Sequence, residues 1–136
     1  MKILMFLFPS GTGINKEVIM YSLSKDFHEE IFKGKTVEVI SFGKFQIDIC
    51  FSDKCWIHIE SGFKLYEKGD LTEEVSNFPL EQTSLLNLLG CVITDISRFE
   101  NEDLSISFGD KVLVILGDVG PYEAYRICDG THEFLV

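Results

Sequence analysis

The sequence predicts an α+β fold, mainly antiparallel β. Two pseudo-repeated strand-hairpin-strand units form a curled sheet or two layers, with one central helix at about 80–89 and a short N-terminal helix. Three observations carry this. Phe45 to Ser61 alternates apolar and polar residues around a turn containing Asp53-Lys54. A second stretch, DLSISFGDKVLVILGD, repeats it at a shift of 57 positions, so that Ile49 falls on Ile106 and Phe51 on Phe108. Between them Leu85, Leu86, Leu88 and Leu89 recur at helical spacing before Gly90.

The register of the first hairpin follows from alternation. Paired residues share a face of the sheet, so only an odd loop keeps Phe51, Ile49 and Ile47 with Cys55, Ile57 and Ile59. Three residues, Ser52-Asp53-Lys54, is the commonest such loop. The opposite face then carries Cys50 with Trp56, Asp48 with His58 and Gln46 with Glu60. The same rule applied to the second copy pairs Phe108 with Val112 and Ile106 with Val114 across Gly109-Asp110-Lys111. Both faces of Val112 to Leu116 are apolar, which predicts a central strand covered on both sides.

The other elements follow in order. Met1 to Phe8 reads as a buried strand ended by Pro9, and Glu17 to Leu23 as a strand by its β-branched content. Ser24 caps a short helix that Gly34 stops. Thr36 to Phe42 is a strand, Phe63 to Tyr66 a shorter one, and the polar stretch to Pro79 irregular. Cys91 to Phe99 and Tyr122 to Ile127 flank the second hairpin, and Phe134 to Val136 adds an edge. The chain of 136 residues is thus a single domain: an extension over 1–33, a first β unit over 34–66, the helix, and a second β unit over 90–127.

Several functions lack their signatures. GTGINK has not the spacing of a phosphate loop, and neither GxSxG nor HExxH occurs. Cys50, Cys55, Cys91 and Cys128 form no CxxC pair, and His28, His58 and His132 are scattered, so neither metal nor cofactor is expected. His58 opposite Asp48 reads as a cross-strand polar pair. No apolar run is long enough to span a bilayer or to serve as a signal peptide, which points to a cytoplasmic protein with reduced thiols.

Charge is the informative feature. Residues 1–69 hold nine Lys against nine Asp or Glu, which cancel, whereas 70–136 hold three basic residues against thirteen acidic ones. The whole net charge of −10 therefore sits in the second half, where it repels nucleic acid and anionic lipid and favours a basic protein partner. The loops on either side of the second hairpin lie at its open end. Glu100, Glu102, Asp103, Asp118 and Glu123 are thereby brought together as the candidate partner-binding face.

From Gly34 onwards the chain also resembles a family of small bacterial β-rich domains of unknown function. The likeness lies in GKTVEVISFG, in LLNLLG, in FENEDLSISFGDK and in the late Pro121-Tyr122-Glu123-Ala124-Tyr125. Family members tend to carry Trp where this chain has Tyr125, and residues 1–33 lie outside the resemblance. Domains of this style are similar to immunity proteins of polymorphic toxin and contact-dependent inhibition systems. The resemblance implies a non-enzymatic monomer or weak dimer that occludes the C-terminal domain of a cognate toxin, a basic nuclease fitting the charge. The alternative is a small enzyme or ligand-binding domain with its pocket between sheet layers.

Overall fold

The computed structural model describes residues 4–9, 15–20, 27–117 and 123–136, the first two segments as backbone strands. Two strands, β1 (Leu4–Pro9) and β2 (Asn15–Met20), pair as an antiparallel hairpin. The remaining strands are β3 (Val37–Phe42), β4 (Ile47–Phe51), β5 (Trp56–Ile59), β6 (Phe63–Glu67), β7 (Asp70–Val75), β8 (Asp95–Arg98), β9 (Leu104–Phe108), β10 (Lys111–Ile115), β11 (Tyr125–Cys128) and β12 (Glu133–Leu135). They form two five-stranded sheets, and every pairing is antiparallel. Sheet I runs β12-β11-β5-β4-β3 and sheet II runs β7-β6-β10-β9-β8. No helix among the described residues is long and apolar enough to cross a membrane.

The internal repeat explains this order. In each half a three-stranded meander is followed by two strands that leave it and extend the other half's sheet. Thus β6 pairs with β10 and β11 with β5. The two copies also meet at their heads, where Thr36 bridges Val92 and the Gly34 and Ile93 backbones exchange hydrogen bonds with their neighbours across the gap. Two layers result, rather than one curled sheet.

Alternation fills the space between them. Ile47, Ile49, Ile57, Ile59 and Ile127 of sheet I are fully buried in one core with Phe63, Leu104, Ile106, Leu113 and Ile115 of sheet II. Phe27, Phe32, Leu85 and Leu88 close it from the connecting segments.

The first hairpin has the expected register, with Ile49 opposite Ile57, Asp48 opposite His58 and Cys50 opposite Trp56. Its loop needs a left-handed backbone at Asp53 and Lys54 (φ 59° and 64°). The second hairpin departs from expectation. Phe108 pairs with Lys111 and Ile106 with Leu113, so the loop is Gly109-Asp110 alone. Leu113 and Ile115 therefore face the core, while Val112 and Val114 turn outward and stay half-exposed. A returning strand that is apolar on both faces leaves register to the turn, and Gly109 (φ 73°) suits the tighter one. β10 is central in its sheet, as its composition predicts, but its outer face is not fully covered by the described residues.

Both expected helices contract to single 3-10 turns. The stretch 80–89 forms one only at Leu85–Leu88, and the N-terminal one spans Glu29–Phe32, with Ser24 outside the described residues. A leucine run of this length cannot hold an α-helix without support along its first turn. Here Glu73 anchors the start of the turn to β7, its carboxylate accepting the Thr83 hydroxyl (2.6 Å) and the Ser84 N–H and hydroxyl (both 2.8 Å). Glu73 itself lies in β7, within the stretch expected to be irregular. The fold is accordingly a β structure with helical turns, and the α component of the prediction is lost.

β8 starts later than expected, at Asp95, because Cys91 and Ile93 spend their backbone groups on the bridge to 34–37. β11 likewise starts at Tyr125.

Candidate functional site

Of the second acidic loop only Gly117 is described, and it packs against Glu102 and Asp103 of the first. Gly117 donates its N–H to Asp103 Oδ1 (2.8 Å), and a Cβ on Gly117 would lie 2.0 Å from the Glu102 carbonyl oxygen. The Asp103 carboxylate and the Glu102 backbone are occupied in holding the end together. Asp103 also accepts from Asn101 Nδ2 (3.1 Å), and the buried Tyr125 hydroxyl donates to the Glu102 carbonyl (3.0 Å). Glu100 is exposed, and Asp118 lies outside the described residues. Glu123 points elsewhere, binding the Arg126 guanidinium at 2.9 and 3.4 Å.

Arg126 leads to a second constellation, on the outer face of sheet I. Strand pairing lays two rows of side chains across that face. One reads Val39, Cys50, Trp56, Cys128 and Glu133, and the other Ser41, Asp48, His58, Arg126 and Leu135. Asp48, Cys50, Trp56, His58 and Arg126 line an open depression of about 250 Å³. Trp56 is the chain's only tryptophan. Cys128 is the exception to this openness, being buried where the Gly130 N–H reaches its Sγ (3.4 Å).

The charges here are interlaced. His58 sits between two carboxylates, with Nδ1 2.6 Å from Asp48 Oδ1 and Nε2 3.3 Å from Glu60 Oε1. Burial pulls the His58 pKa down, but the hydrogen bonds and charges of Asp48 and Glu60 outweigh it and the net shift is upward. Both ring nitrogens can donate only in the imidazolium form, which this geometry favours. Arg126 is raised in the same way, chiefly by its hydrogen bond to Glu123, with Glu133 3.9 Å away. Around His58 and Arg126 there are thus four carboxylates, Asp48, Glu60, Glu123 and Glu133.

Cys50, His58 and Asp48 are the residue types of a nucleophilic triad, and the geometry argues against that use. Both nitrogens of His58 are already held by carboxylates, leaving neither as a base for the thiol. Burial first, then Asp48 and Glu38, push the Cys50 thiol up, away from the reactive thiolate. Among the described residues no group of three or more His, Cys, Asp or Glu has a metal-binding arrangement.

A pH dependence follows. A raised folded pKa means that the His58 contribution to stability is complete below the unfolded value of about 6.5 and disappears as pH rises through the folded value. The stability difference between wild type and His58→Gln should therefore be largest below about pH 6.5 and shrink on the alkaline side, in denaturant titrations across that range. A difference that grows with pH would reverse the assignment.

Of the expected site residues, only Glu123 belongs to this face. Cys50/Trp56 and Asp48/His58 were already paired on it by the hairpin register. Arg126, Cys128 and Glu133 arrive through the long-range pairing of β11, which no local pattern announces. Comparison with family models, with curated proteins and with solved structures finds no match for this chain.

Proposed function

We propose that the protein is a non-enzymatic immunity protein that binds a basic toxin domain, a nuclease fitting the chemistry, and neutralises it by occlusion. The reading is supported above all by the outer face of sheet I, where Trp56 lines an open depression with His58 and Arg126, themselves held by Glu60, Glu123 and Glu133. A rigid aromatic ringed by charge is the usual anatomy of a protein-binding hot spot. The rim sign suits Lys and Arg that would otherwise hold phosphate, and the acidic loops at the adjoining end extend the same field. The alternative, a ligand pocket between the layers, would need space where Ile49, Ile57, Ile106 and Leu113 pack at 0% exposure.

Growth rescue tests this reading. The chain is co-produced with a basic toxin domain encoded next to it, and binding is followed by isothermal titration calorimetry. Rescue by wild type is expected, with association slowing markedly as salt rises. Trp56→Ala should weaken binding roughly 30-fold or more, the effect of losing a hot-spot aromatic. Glu60→Lys with Glu133→Lys should abolish steering. If Glu100→Lys with Glu102→Lys removes protection while the sheet variants leave it intact, the acidic loops are the binding face instead.

A further inference from the structure

Among the described residues the four edges of the two five-stranded sheets are not treated alike. β8 is fenced by ion pairs to the 3-10 turn Glu29–Phe32 and the residue after it, Lys33 to Asp95 (3.6 Å) and Arg98 to Glu29 (3.4 Å). β7 is polar, bulged beside Thr72, and anchored to Thr83 and Ser84 through Glu73. β12 has only three residues. β3 is different. Its first part is bridged to 90–92 and bulged at Glu38, but from Val39 to Phe42 it pairs regularly with β4 and ends sheet I.

Natural sheets blunt their edges because an open one templates strand pairing. Around this one the sequence instead places apolar side chains. Val39, Phe42 and Phe45 are 50%, 44% and 64% exposed, and Leu86 and Leu89 beside them 51% and 47%. Phe42 and Leu86 line one groove, and the Gly90 N–H to Val37 carbonyl bond (2.9 Å) holds Leu89 against the same strand.

We propose that this edge is the interface of a homodimer, in which β3 of two copies pair antiparallel about a two-fold axis at Ser41. Gly43 donates its N–H to Gln46 across the β3–β4 turn, so alternation turns the N–H and C=O of Ile40 and Phe42 to the open edge. An axis at Ser41 sets Ile40 opposite the second copy's Phe42, which joins these groups in two reciprocal pairs. Just outside the paired segment, Glu38 at the bulge and Lys44 in the turn, both exposed and of opposite charge, are brought near each other's copies.

The area agrees. The five apolar side chains expose about 500 Å², taking about 200 Å² for a whole side chain of this size. A standard interface of about 800 Å² per partner, at 56–65% apolar, needs about 450–520 Å² of such surface. The dimer would carry two copies of the Trp56 face on one continuous sheet. The proposal stands independently of what that face binds.

Sedimentation equilibrium of the full chain tests it. A monomer–dimer equilibrium in the micromolar range is expected, weakened at least tenfold by Phe42→Lys. Glu38→Lys or Lys44→Glu alone should weaken it, and the two together should restore it. Ser41→Cys should form a disulfide-linked dimer on mild oxidation, which wild type under the same treatment should not. A non-hydrogen-bonded antiparallel pair brings Cα atoms to about 4.5 Å, within disulfide reach. This arm decides the matter even if Phe42→Lys fails to fold. A monomer up to about 1 mM, or a dimer indifferent to Phe42→Lys with no Ser41→Cys link, overturns the proposal. So does a monomer that takes an extended peptide along β3 in place of a second copy.

Discussion

Leu113→Ala should lower stability by about 2–5 kcal/mol, whereas Val114→Ala should cost about 1 kcal/mol or less. Leu113 is fully buried opposite Ile106, and its neighbour Val114 stands half-exposed opposite Ser105. Adjacent residues of similar chemistry thus carry very different energies, because a strand sends them to opposite faces. The contrast tests the Gly109-Asp110 loop directly. A three-residue loop would exchange the two faces, and the larger loss would then fall on Val114. Urea titrations of both variants read the difference as a shift in midpoint at unchanged slope. Equal shifts would mean that neither face of β10 is preferentially buried. The corresponding change in the first hairpin, Ile57→Ala, should resemble Leu113→Ala, since Ile57 occupies the same place opposite Ile49.

The difference between the two hairpins shows what alternation can specify. In β4 and β5, Asp48, His58 and Glu60 mark one face as wet, so one register satisfies every pair. In β10 the run Val112-Leu113-Val114-Ile115 offers no polar residue to break the tie, and the turn chemistry of Gly109 decides. The repeat at 57 positions was legible, but its consequence was not: β6 and β11 cross to the opposite sheet, a pairing between residues 44 or more apart that no local window of sequence contains. That crossing also assembles the site. Trp56 and His58 could be placed on one face from local pattern alone, while Arg126 joined them only through β11. The leucine run misled because helical spacing and 3-10 spacing share their i, i+3 contacts, here Leu85 and Leu88. At the acidic end a hairpin must return its ends to one place, and Gly117 does meet Glu102 and Asp103 there. What its acids do there depends on partners such as Gly117 and Tyr125, which spacing does not reveal.

Gly117→Ala should cost about 3 kcal/mol or more, the upper end of what overpacking produces. The added Cβ would lie 2.0 Å from the Glu102 carbonyl oxygen and 2.3 Å from its carbon, both backbone atoms that no rotamer change can move aside. The loops would have to separate, and the separation would strain two further bonds. Asp103 holds the Gly117 N–H at 2.8 Å, and Tyr125, buried in the core, holds the Glu102 carbonyl at 3.0 Å. Gly109→Ala provides the comparison. Its Cβ would meet nothing within 4 Å, so only its left-handed backbone (φ 73°) resists, at about 1 kcal/mol. Thermal and urea unfolding should separate the two variants clearly. Equal losses would show that the loops do not approach as closely as the Gly117 contact requires. Because Glu100 and Glu102 ride on the displaced loop, Gly117→Ala should also weaken any partner that reads the acidic end. A partner seated on Trp56 and the sheet face should be affected far less at temperatures where the variant remains folded.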